Sequence, residues 1–235
     1  MPAENRCPPP GTFIQAGRVN SWDVVFLARH GQTEWNLLRR RQGRLDSPLT
    51  SDGVTQAHRH ASTLRNRGID GIFVSPLGRA VATACIIGEA LHLEIEVVDE
   101  LAELDHGQFS GLIDEQIDAQ FPGDRQRRAA DKYQWRFPDG ESYADADTRA
   151  ARALHQVSRK PAKRPLIVSH EMIGRMLQRH VLGLDPHVAL ARSHPHDVVF
   201  EIDPAARECR HLAPEARPSH PTAPPPPDPA LDQIR

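Results

Sequence analysis

The sequence has few aromatic residues, no long apolar run and no excess of either charge, and each shortage excludes a class of protein. Phe, Trp and Tyr make up 5% of the 235 residues, and 39% of the residues are apolar. No stretch approaches the roughly 20 apolar residues that a membrane-spanning helix needs, so we expect a soluble protein with no membrane partner. Lys and Arg number 29 and Asp and Glu 31, which argues against the strongly positive charge of nucleic-acid-binding proteins.

Cysteine is too scarce for a disulfide framework. Cys7, Cys85 and Cys209 are odd in number and widely separated, and none has the spacing of a metal ligand. Cys85 lies on the apolar side of a predicted helix. We therefore expect it in the core, with a reduced thiol, in a cytoplasmic protein.

Large apolar residues are scarcest at the two ends of the chain. Residues 1–22 lack the apolar stretch of a secretory signal, and we interpret them as a flexible extension. Residues 213–235 are rich in proline and cannot bury enough apolar surface to fold, so we expect a disordered or polyproline II tail. A tail that binds a proline-recognising module is an alternative without support in the sequence. The catalytic domain is expected over residues 23–212.

Apolar patterns between the two ends alternate between strands and helices. Strands are predicted at 23–28, 71–74, 94–98, 165–169 and 197–202, with a weaker one near 207–212. Helical stripes lie at 54–64, 81–91, 143–157 and 173–181, and Ser142 is a plausible N-cap of the third. This alternation predicts an α/β fold of three layers, with helices on both faces of a mainly parallel sheet.

Residues 104–140 depart from the alternation. They contain two short helical segments, 112–121 and 124–135, and end in the turn FPDGES. An insertion of this kind over the end of a sheet is typical of a lid on a substrate site.

Charged and imidazole side chains follow the predicted strands where each strand ends. Arg29 and His30 follow the first strand, Arg79 begins the helix after the second, Glu103 follows the third, and His170 follows the fourth. Ligands of parallel α/β sheets bind beyond the carboxyl ends of the strands, so we expect these side chains at one rim.

This set of side chains suits phosphoryl transfer. Two Arg and two His could hold a tetrahedral dianion, a neutral His could attack phosphorus, and a carboxyl could protonate the departing alcohol. Taken singly, each residue is more often structural than catalytic, so the hypothesis depends on their occurring together.

Six motifs occur in a fixed order along the chain. They are RHGQTEWN (29–36), QGRLDSPLTSDGVTQA (42–57), SPLGRAVATA (75–84), ELAELDHGQFSG (100–111), PDGES (138–142) and VSHEMIGRML (168–177). This series resembles the histidine phosphatase superfamily, the phosphoglycerate mutase-like group that also contains many small-molecule phosphatases. The resemblance covers roughly residues 23–205 and implies the phosphoglycerate mutase-like fold.

The resemblance also implies roles for individual residues. His30 would be the phosphorylated nucleophile, and Glu103 would be the proton donor. Arg29, Arg79 and His170 would hold the phosphoryl group. The remaining implied substrate-binding residues are Gly31, Asn36, Gln42 and Glu141. No metal and no cofactor is implied.

Two segments depart from the family pattern, and one basic run is ambiguous. Glu171 stands where relatives commonly have Gly; it could face solvent at the helix start, or turn into the pocket and disfavour highly charged substrates. His194 and His196 could contact substrate, whereas a metal site there has little support. We interpret the run 39–41, three Arg, as a solvated face.

The function expected from the resemblance is hydrolysis of a small phosphomonoester through a phosphohistidine at His30. Only 34 positions separate Glu103 from Phe137, and this short lid favours the phosphatase branch over a mutase-type phosphoryl transfer. A non-catalytic phospho-ligand-binding module is a further alternative, although the five expected catalytic residues are all present. The sequence leaves open a homodimer and the identity of the substrate.

Overall fold

A computed structural model describes residues 22–212. The strands are β1 (Val25–Arg29), β2 (Gly71–Val74), β3 (Ile95–Val97), β4 (Pro165–Ser169), β5 (Val199–Asp203) and β6 (Glu208–Leu212). The helices are α1 (Glu34–Leu37), α2 (Ser51–Leu64), α3 (Gly78–Leu91), α4 (Asp114–Gln120), α5 (Asp124–Ala130), α6 (Tyr143–Ser158), α7 (Glu171–Leu182) and α8 (Pro186–Leu190). Two 3₁₀ turns lie at Asp99–Leu101 and Gly107–Phe109.

The strands form a single sheet in the order β3-β2-β4-β1-β5-β6. Strands β3, β2, β4 and β1 are parallel to one another, whereas β5 pairs antiparallel with β1 and with β6. The carboxyl ends of β1, β2 and β4 are therefore side by side in the middle of the sheet. The predicted α/β class with a mainly parallel sheet is confirmed.

Helices cover both faces of the sheet because the side chains of its central strands alternate. Val25 and Leu27 of β1 enter a core on one face that includes residues of α6 and α7. Phe26 and Ala28 enter the core on the other face, with residues of α2 and α3. These four side chains are fully buried, as expected for a strand with helices on both sides.

The region predicted to be a lid contains α4 and α5 and connects β3 to α6. The start of α6 is fixed by Ser142, whose hydroxyl accepts a hydrogen bond from the backbone N–H of Asp145. Asp145 in turn accepts one from the backbone N–H of Ser142, so the predicted N-cap is part of a reciprocal capping box.

Two expectations from the sequence are corrected, and two short helices were not predicted. Cys85 is exposed rather than buried, because α3 buries the side that carries Ala80, Ala84 and Ile87. Trp22, assigned to the N-terminal extension, is 4% exposed and belongs to the core. The short helices α1 and α8 were not predicted, because neither spans enough residues to show a helical period.

The expected flexible extension (apart from Trp22), the proline-rich tail and Cys7 lie outside the described residues. Among residues 22–212, no helix combines the length and the apolar character needed to cross a lipid bilayer.

Candidate active site

The residues expected at the rim come from neighbouring chain segments at the carboxyl ends of the parallel strands. Arg29 is the last residue of β1, and its backbone pairs in register with Ser169, the last residue of β4. His30 follows directly and donates its backbone N–H to the carbonyl of Ser169. His170 is the next residue of the β4 segment, and its ring centre lies 5.1 Å from that of His30.

The His30 ring is buried and held in one tautomer. Its Nδ1 lies 2.7 Å from the carbonyl oxygen of Gly31, so Nδ1 carries the proton and donates it. Burial, followed by the positive charges of Arg29 and Arg79, lowers the pKa of His30 well below its ordinary value of 6.5. The opposite ring atom, Nε2, is therefore unprotonated, and its lone pair can accept a hydrogen bond or attack an electrophile.

Arg79 is the cation nearest to that lone pair. Its Nε–H donates to His30 Nε2 over 3.3 Å, and its Nη2 donates to the carbonyl of Gly43 over 2.9 Å. Its Nη1 donates to Asp46 Oδ1 over 2.8 Å and to the Leu45 carbonyl over 2.7 Å. Arg79 is 3% exposed. Its guanidinium is thus fixed in orientation beside the His30 ring, and Asp46 is the counter-ion that holds it.

Arg29 lies on the other side of the site. Its Nη1 donates to the carbonyl of His194 over 3.1 Å and forms an ion pair with Glu171 Oε2 at 3.0 Å. Burial lowers the pKa of Arg29 and the nearby carboxylates of Glu171 and Glu103 raise it. The guanidinium nevertheless stays charged, because its ordinary pKa is far above neutrality.

His170 is fully buried beneath the site. Its Nε2 lies 2.6 Å from Ser75 Oγ, and this hydroxyl also accepts the backbone N–H of Leu77. The hydroxyl proton can therefore point at Nε2, which leaves the ring proton on Nδ1. Among the residues that the structure describes, Nδ1 has no hydrogen-bond partner. Burial, followed by the charge of Arg79, lowers the pKa of His170 well below its ordinary value.

Glu103 lies at the N-terminus of α7 and is 7% exposed. Its Oε1 accepts backbone N–H groups of Leu104 and Ile173, each over 2.9 Å. Its Oε2 accepts the N–H of Met172 over 3.0 Å. The carboxyl group therefore occupies the place of a helix-capping acceptor while it faces the cavity that contains His30.

A cavity of about 360 Å³ has His30, Arg29, Arg79 and Glu103 in its wall, whereas the fully buried His170 lies outside this wall. We refer to it as the catalytic cavity. Asn36 and Gln42, both expected in the pocket, also line it. The Gln42 amide donates to Thr33 Oγ1 over 2.8 Å, and Asn36 Oδ1 accepts the backbone N–H of Thr33. Thr33 therefore holds both side-chain amides in position.

The run of three Arg at 39–41 also lines the catalytic cavity, so its interpretation as a solvated face is wrong for two members. Arg40 donates to the carbonyl of Gly111 and its guanidinium lies 5.6 Å from the centre of the Trp35 ring. Arg41 forms an ion pair of 2.7 Å with Asp114 of α4. Arg39 is exposed. The run thus connects the first loop to the lid.

Two residues expected to bind substrate have other surroundings. Gly31 is packed so closely that an added Cβ would lie 2.3 Å from the carbonyl oxygen of Gly53, and its N–H donates to Thr83 Oγ1. Glu141 is outside the wall of the catalytic cavity and accepts hydrogen bonds from Arg149, at 2.8 Å from Nη2. Gly31 therefore permits close packing, and Glu141 holds the Arg that supports the Glu103 segment from behind.

Glu171, left open by the sequence, turns toward the cavity. It lines the wall beside Met172, and its two oxygens pair with Arg29 and with Arg175 at 3.0 and 2.6 Å. Its side chain is 32% exposed. The wall of the cavity therefore contains a carboxylate whose charge is paired with two Arg.

His194 and His196 support the site from behind. His196 donates from Nδ1 to the backbone carbonyl of His30 over 2.6 Å, and burial lowers its pKa to about 4. His60 reaches the carbonyl of His196 from α2, at 2.9 Å. His194 is 1% exposed and its ring packs 4.8 Å from that of Phe200. Among residues 22–212, no group of three or more His, Cys, Asp or Glu could hold a metal ion.

Sequence reasoning missed three residues that shape the site. Asp46, Ser75 and His106 all lie inside the quoted motifs, so a signal was present, but their roles depend on contacts with distant segments. His106 lines the cavity, and burial, with Arg41, Arg128 and Arg79 nearby, lowers its pKa to about 3.

Comparison with known proteins identifies the family. Residues 25–213 match the histidine phosphatase superfamily, branch 1. The chain belongs to this superfamily. A probable phosphoglycerate mutase GpmB of Yersinia enterocolitica is 40% identical over 164 residues, which are 69% of this chain and 76% of that protein. A second GpmB, of Yersinia pestis, is 41% identical over 167 residues.

Solved structures of the superfamily superpose well. A mycobacterial glucosyl-3-phosphoglycerate phosphatase is 28% identical, with a TM-score of 0.70 over 81% of this chain and 97% of that one. The alpha-ribazole phosphatase of Shigella flexneri has a TM-score of 0.74 over 83% of this chain and 96% of its own, and at 22% identity it shows the fold alone. The predicted superfamily is confirmed, as is the prediction of an enzyme of the histidine phosphatase type.

Proposed function

We propose that the protein is a metal-independent hydrolase of small phosphomonoesters that works through a phosphohistidine at His30. The observation that carries the proposal is the state of the His30 ring. Its Nδ1 proton is donated to the carbonyl of Gly31, burial holds its pKa well below the ordinary value, and its unprotonated Nε2 accepts a hydrogen bond from Arg79. A neutral imidazole beside two fixed guanidiniums is the arrangement that nucleophilic attack on a phosphate requires.

In the first step of the proposed reaction, His30 Nε2 forms a bond to phosphorus while the bond from phosphorus to the ester oxygen breaks. Arg29, Arg79 and the Nδ1–H of His170 donate to the phosphoryl oxygens as negative charge builds on them. The carboxylic acid form of Glu103 gives its proton to the leaving alkoxide, which departs as an alcohol.

In the second step, a water molecule attacks the phosphorus of phosphohistidine. The Glu103 carboxylate accepts a proton from this water, the bond from nitrogen to phosphorus breaks, and inorganic phosphate leaves. Both His30 and Glu103 return to their starting protonation states. The helix-terminal N–H groups that contact Glu103 keep the carboxyl in position through both steps.

A mutase-type reaction is the second candidate, because the GpmB relatives carry the name of probable phosphoglycerate mutases. It would use the same phosphohistidine and return the phosphoryl group to a substrate hydroxyl instead of water. The short segment between Glu103 and Phe137 and the phosphatase named among the solved relatives favour hydrolysis.

A panel of phosphorylated metabolites separates the two candidates. The purified protein is incubated with sugar phosphates, phosphoglycerates and nucleotide precursors, and both inorganic phosphate and isomers are measured. We expect phosphate release with at least one compound, and its loss in His30→Ala. Isomer formation without phosphate release would reverse the order of the two candidates. Phosphate release that persists in His30→Ala would contradict both.

A further inference from the structure

A second cavity, of about 380 Å³, lies within the lid and is called here the lid cavity. Its apolar wall is formed by Phe109, Ile117 and Phe137, all less than 5% exposed. The two phenyl rings pack edge to face, with their centres 5.5 Å apart. Arg41 lines both this cavity and the catalytic cavity, so the two adjoin at this residue.

The arginines around the lid cavity differ in whether they form ion pairs with acidic residues. Arg125 pairs with Asp118 at 2.7 Å and with Asp114 at 3.1 Å, and Asp114 also pairs with Arg41. Arg128 is half-buried, with its guanidinium 5.4 Å from the centre of the Phe137 ring. Among residues 22–212, no carboxylate forms an ion pair with Arg128 and no group accepts a hydrogen bond from it.

Burial and nearby positive charges lower the pKa values of Lys132 and Arg128. Burial, followed by the charges of Arg175 and Arg128, lowers the pKa of Lys132 to about 8. Arg128 itself has a lowered pKa, chiefly through burial and with a contribution from Arg41, although Tyr143 and Asp114 act in the opposite direction. A half-buried cation among like charges is stabilised when an anion binds beside it.

We propose that the lid cavity is a binding site for an acidic group, a carboxylate or a second phosphate, on the apolar leaving group of the substrate. The acid binds Arg128, and the leaving group contacts the parts of Phe109 and Phe137 that line the lid cavity. The phosphomonoester end of the same molecule lies in the catalytic cavity, on the other side of Arg41. This inference rests on the proposed function and narrows its substrates to phosphomonoesters with a second, distant negative charge.

Two matched substrates test the site: biphenyl-4-yl phosphate and its 4′-carboxy derivative. The measurement is the ratio of their kcat/KM values in wild type, in Arg128→Gln and in Arg127→Gln. Arg127 is the matched control, because it is 64% exposed, pairs with Asp124 and does not line the cavity. We expect wild type to prefer the carboxylated substrate about tenfold, the gain typical of one charge-assisted hydrogen bond. Arg127→Gln keeps this preference, and Arg128→Gln reduces the ratio to about one.

Equal ratios in wild type and Arg128→Gln, or no preference in wild type, would overturn the proposal. If neither compound is hydrolysed, the proposed function has failed for these substrates, and binding then decides. Biphenyl-4-carboxylate is titrated into both proteins by calorimetry. Binding to wild type that is lost in Arg128→Gln supports the site, whereas absence of binding to wild type overturns it.

Discussion

The two cavities differ in how their cations are held. In the catalytic cavity, Arg79 donates to Asp46, to two backbone carbonyls and to His30, and Arg29 is fixed between Glu171 and a carbonyl. In the lid cavity, Arg128 has no such partner in the described chain. The first arrangement is preorganised for a charge that develops during a reaction. The second is an incomplete set of contacts that a ligand can complete.

The cations of the two cavities are held differently because they lie in different parts of the fold. Arg29 ends β1 and His30 follows it, and the register of β1 with β4 is set by four residue pairs, three of them between buried residues, so little motion is available to Arg29 and His30. The lid helices α4 and α5 have seven residues each, and Asp114 and Arg125 hold them partly through half-exposed ion pairs. Such pairs are weak and sensitive to salt.

After removal of His30 itself, the largest expected loss of activity comes from a change at Glu103. Glu103→Gln cannot donate a proton to the leaving group, so hydrolysis of an alkyl phosphate should fall by about 10² to 10⁴-fold. Hydrolysis of p-nitrophenyl phosphate should fall much less, because its leaving group needs little protonation. Steady-state kinetics on both substrates make the comparison. Glu100→Gln serves as the control, and equal losses with the two substrates would contradict the acid role.

Removal of the Arg79 guanidinium is expected to cause the next largest loss of activity. Arg79→Ala should lower kcat by about 10² to 10³-fold with either type of substrate, as expected for loss of one preorganised donor. Arg59→Ala, an exposed change on α2, should have no effect. Thermal unfolding of each variant separates lost catalysis from lost folding. A folded Arg79→Ala protein with less than a fivefold loss would refute the preorganised state of the catalytic cavity.

Low pH should destabilise the folded protein, because buried imidazoles such as that of His60 bind protons less readily than they do in the unfolded chain. The pKa of His60 is lowered by burial, so the native state binds fewer protons than the unfolded state below about pH 6.5. The free energy of unfolding therefore falls as the pH decreases through this range, by up to about 1.4 kcal/mol per pH unit for each such His.

A pair of histidines on one helix tests this slope. His60 is 1% exposed and His58 is exposed, two positions away on α2. Urea unfolding from pH 7.5 to 5 should show a shallower pH dependence in His60→Gln than in wild type, and no change in His58→Gln. The same slope in all three proteins would show that burial of His60 does not affect its protonation.

The smallest expected effect concerns the lid. Asp114→Asn removes the carboxylate that Arg41 and Arg125 share, which leaves both cations available to an anionic substrate. The KM of a substrate with a second negative charge should decrease by about two- to threefold, and 0.5 M salt should remove most of this gain. Glu115→Gln, an exposed change on the same helix, should leave KM unchanged. A KM that rises in Asp114→Asn would contradict the proposed surplus of charge.

The features that were predicted from the sequence are those that depend on local sequence patterns. Six strands and the long helices follow from apolar periodicity, and the placement of Arg29, His30 and His170 follows from the parallel sheet. The buried side of α3 was misjudged because this helix is rich in apolar residues on several sides, so its pattern does not single out Ala84 from Cys85.

What the sequence could not give depends on contacts between distant segments. Gly31 is needed because the backbone of Gly53 lies against it, and Glu141 is bound by an Arg of α6. The orientation of Glu171 is decided by Arg29, which reaches it across the rim from β1. The two cavities themselves are defined only once the lid has folded over the sheet.

Detection of a covalent intermediate tests the central claim most directly. Wild type and His30→Ala are mixed with a ³²P-labelled substrate, quenched in alkali within milliseconds, and the label is located by mass spectrometry of the peptides. Acid-labile phosphate on His30 of wild type, absent from His30→Ala, is the predicted result. Label on another residue, or rapid turnover by wild type without label on His30, would contradict nucleophilic catalysis by this histidine.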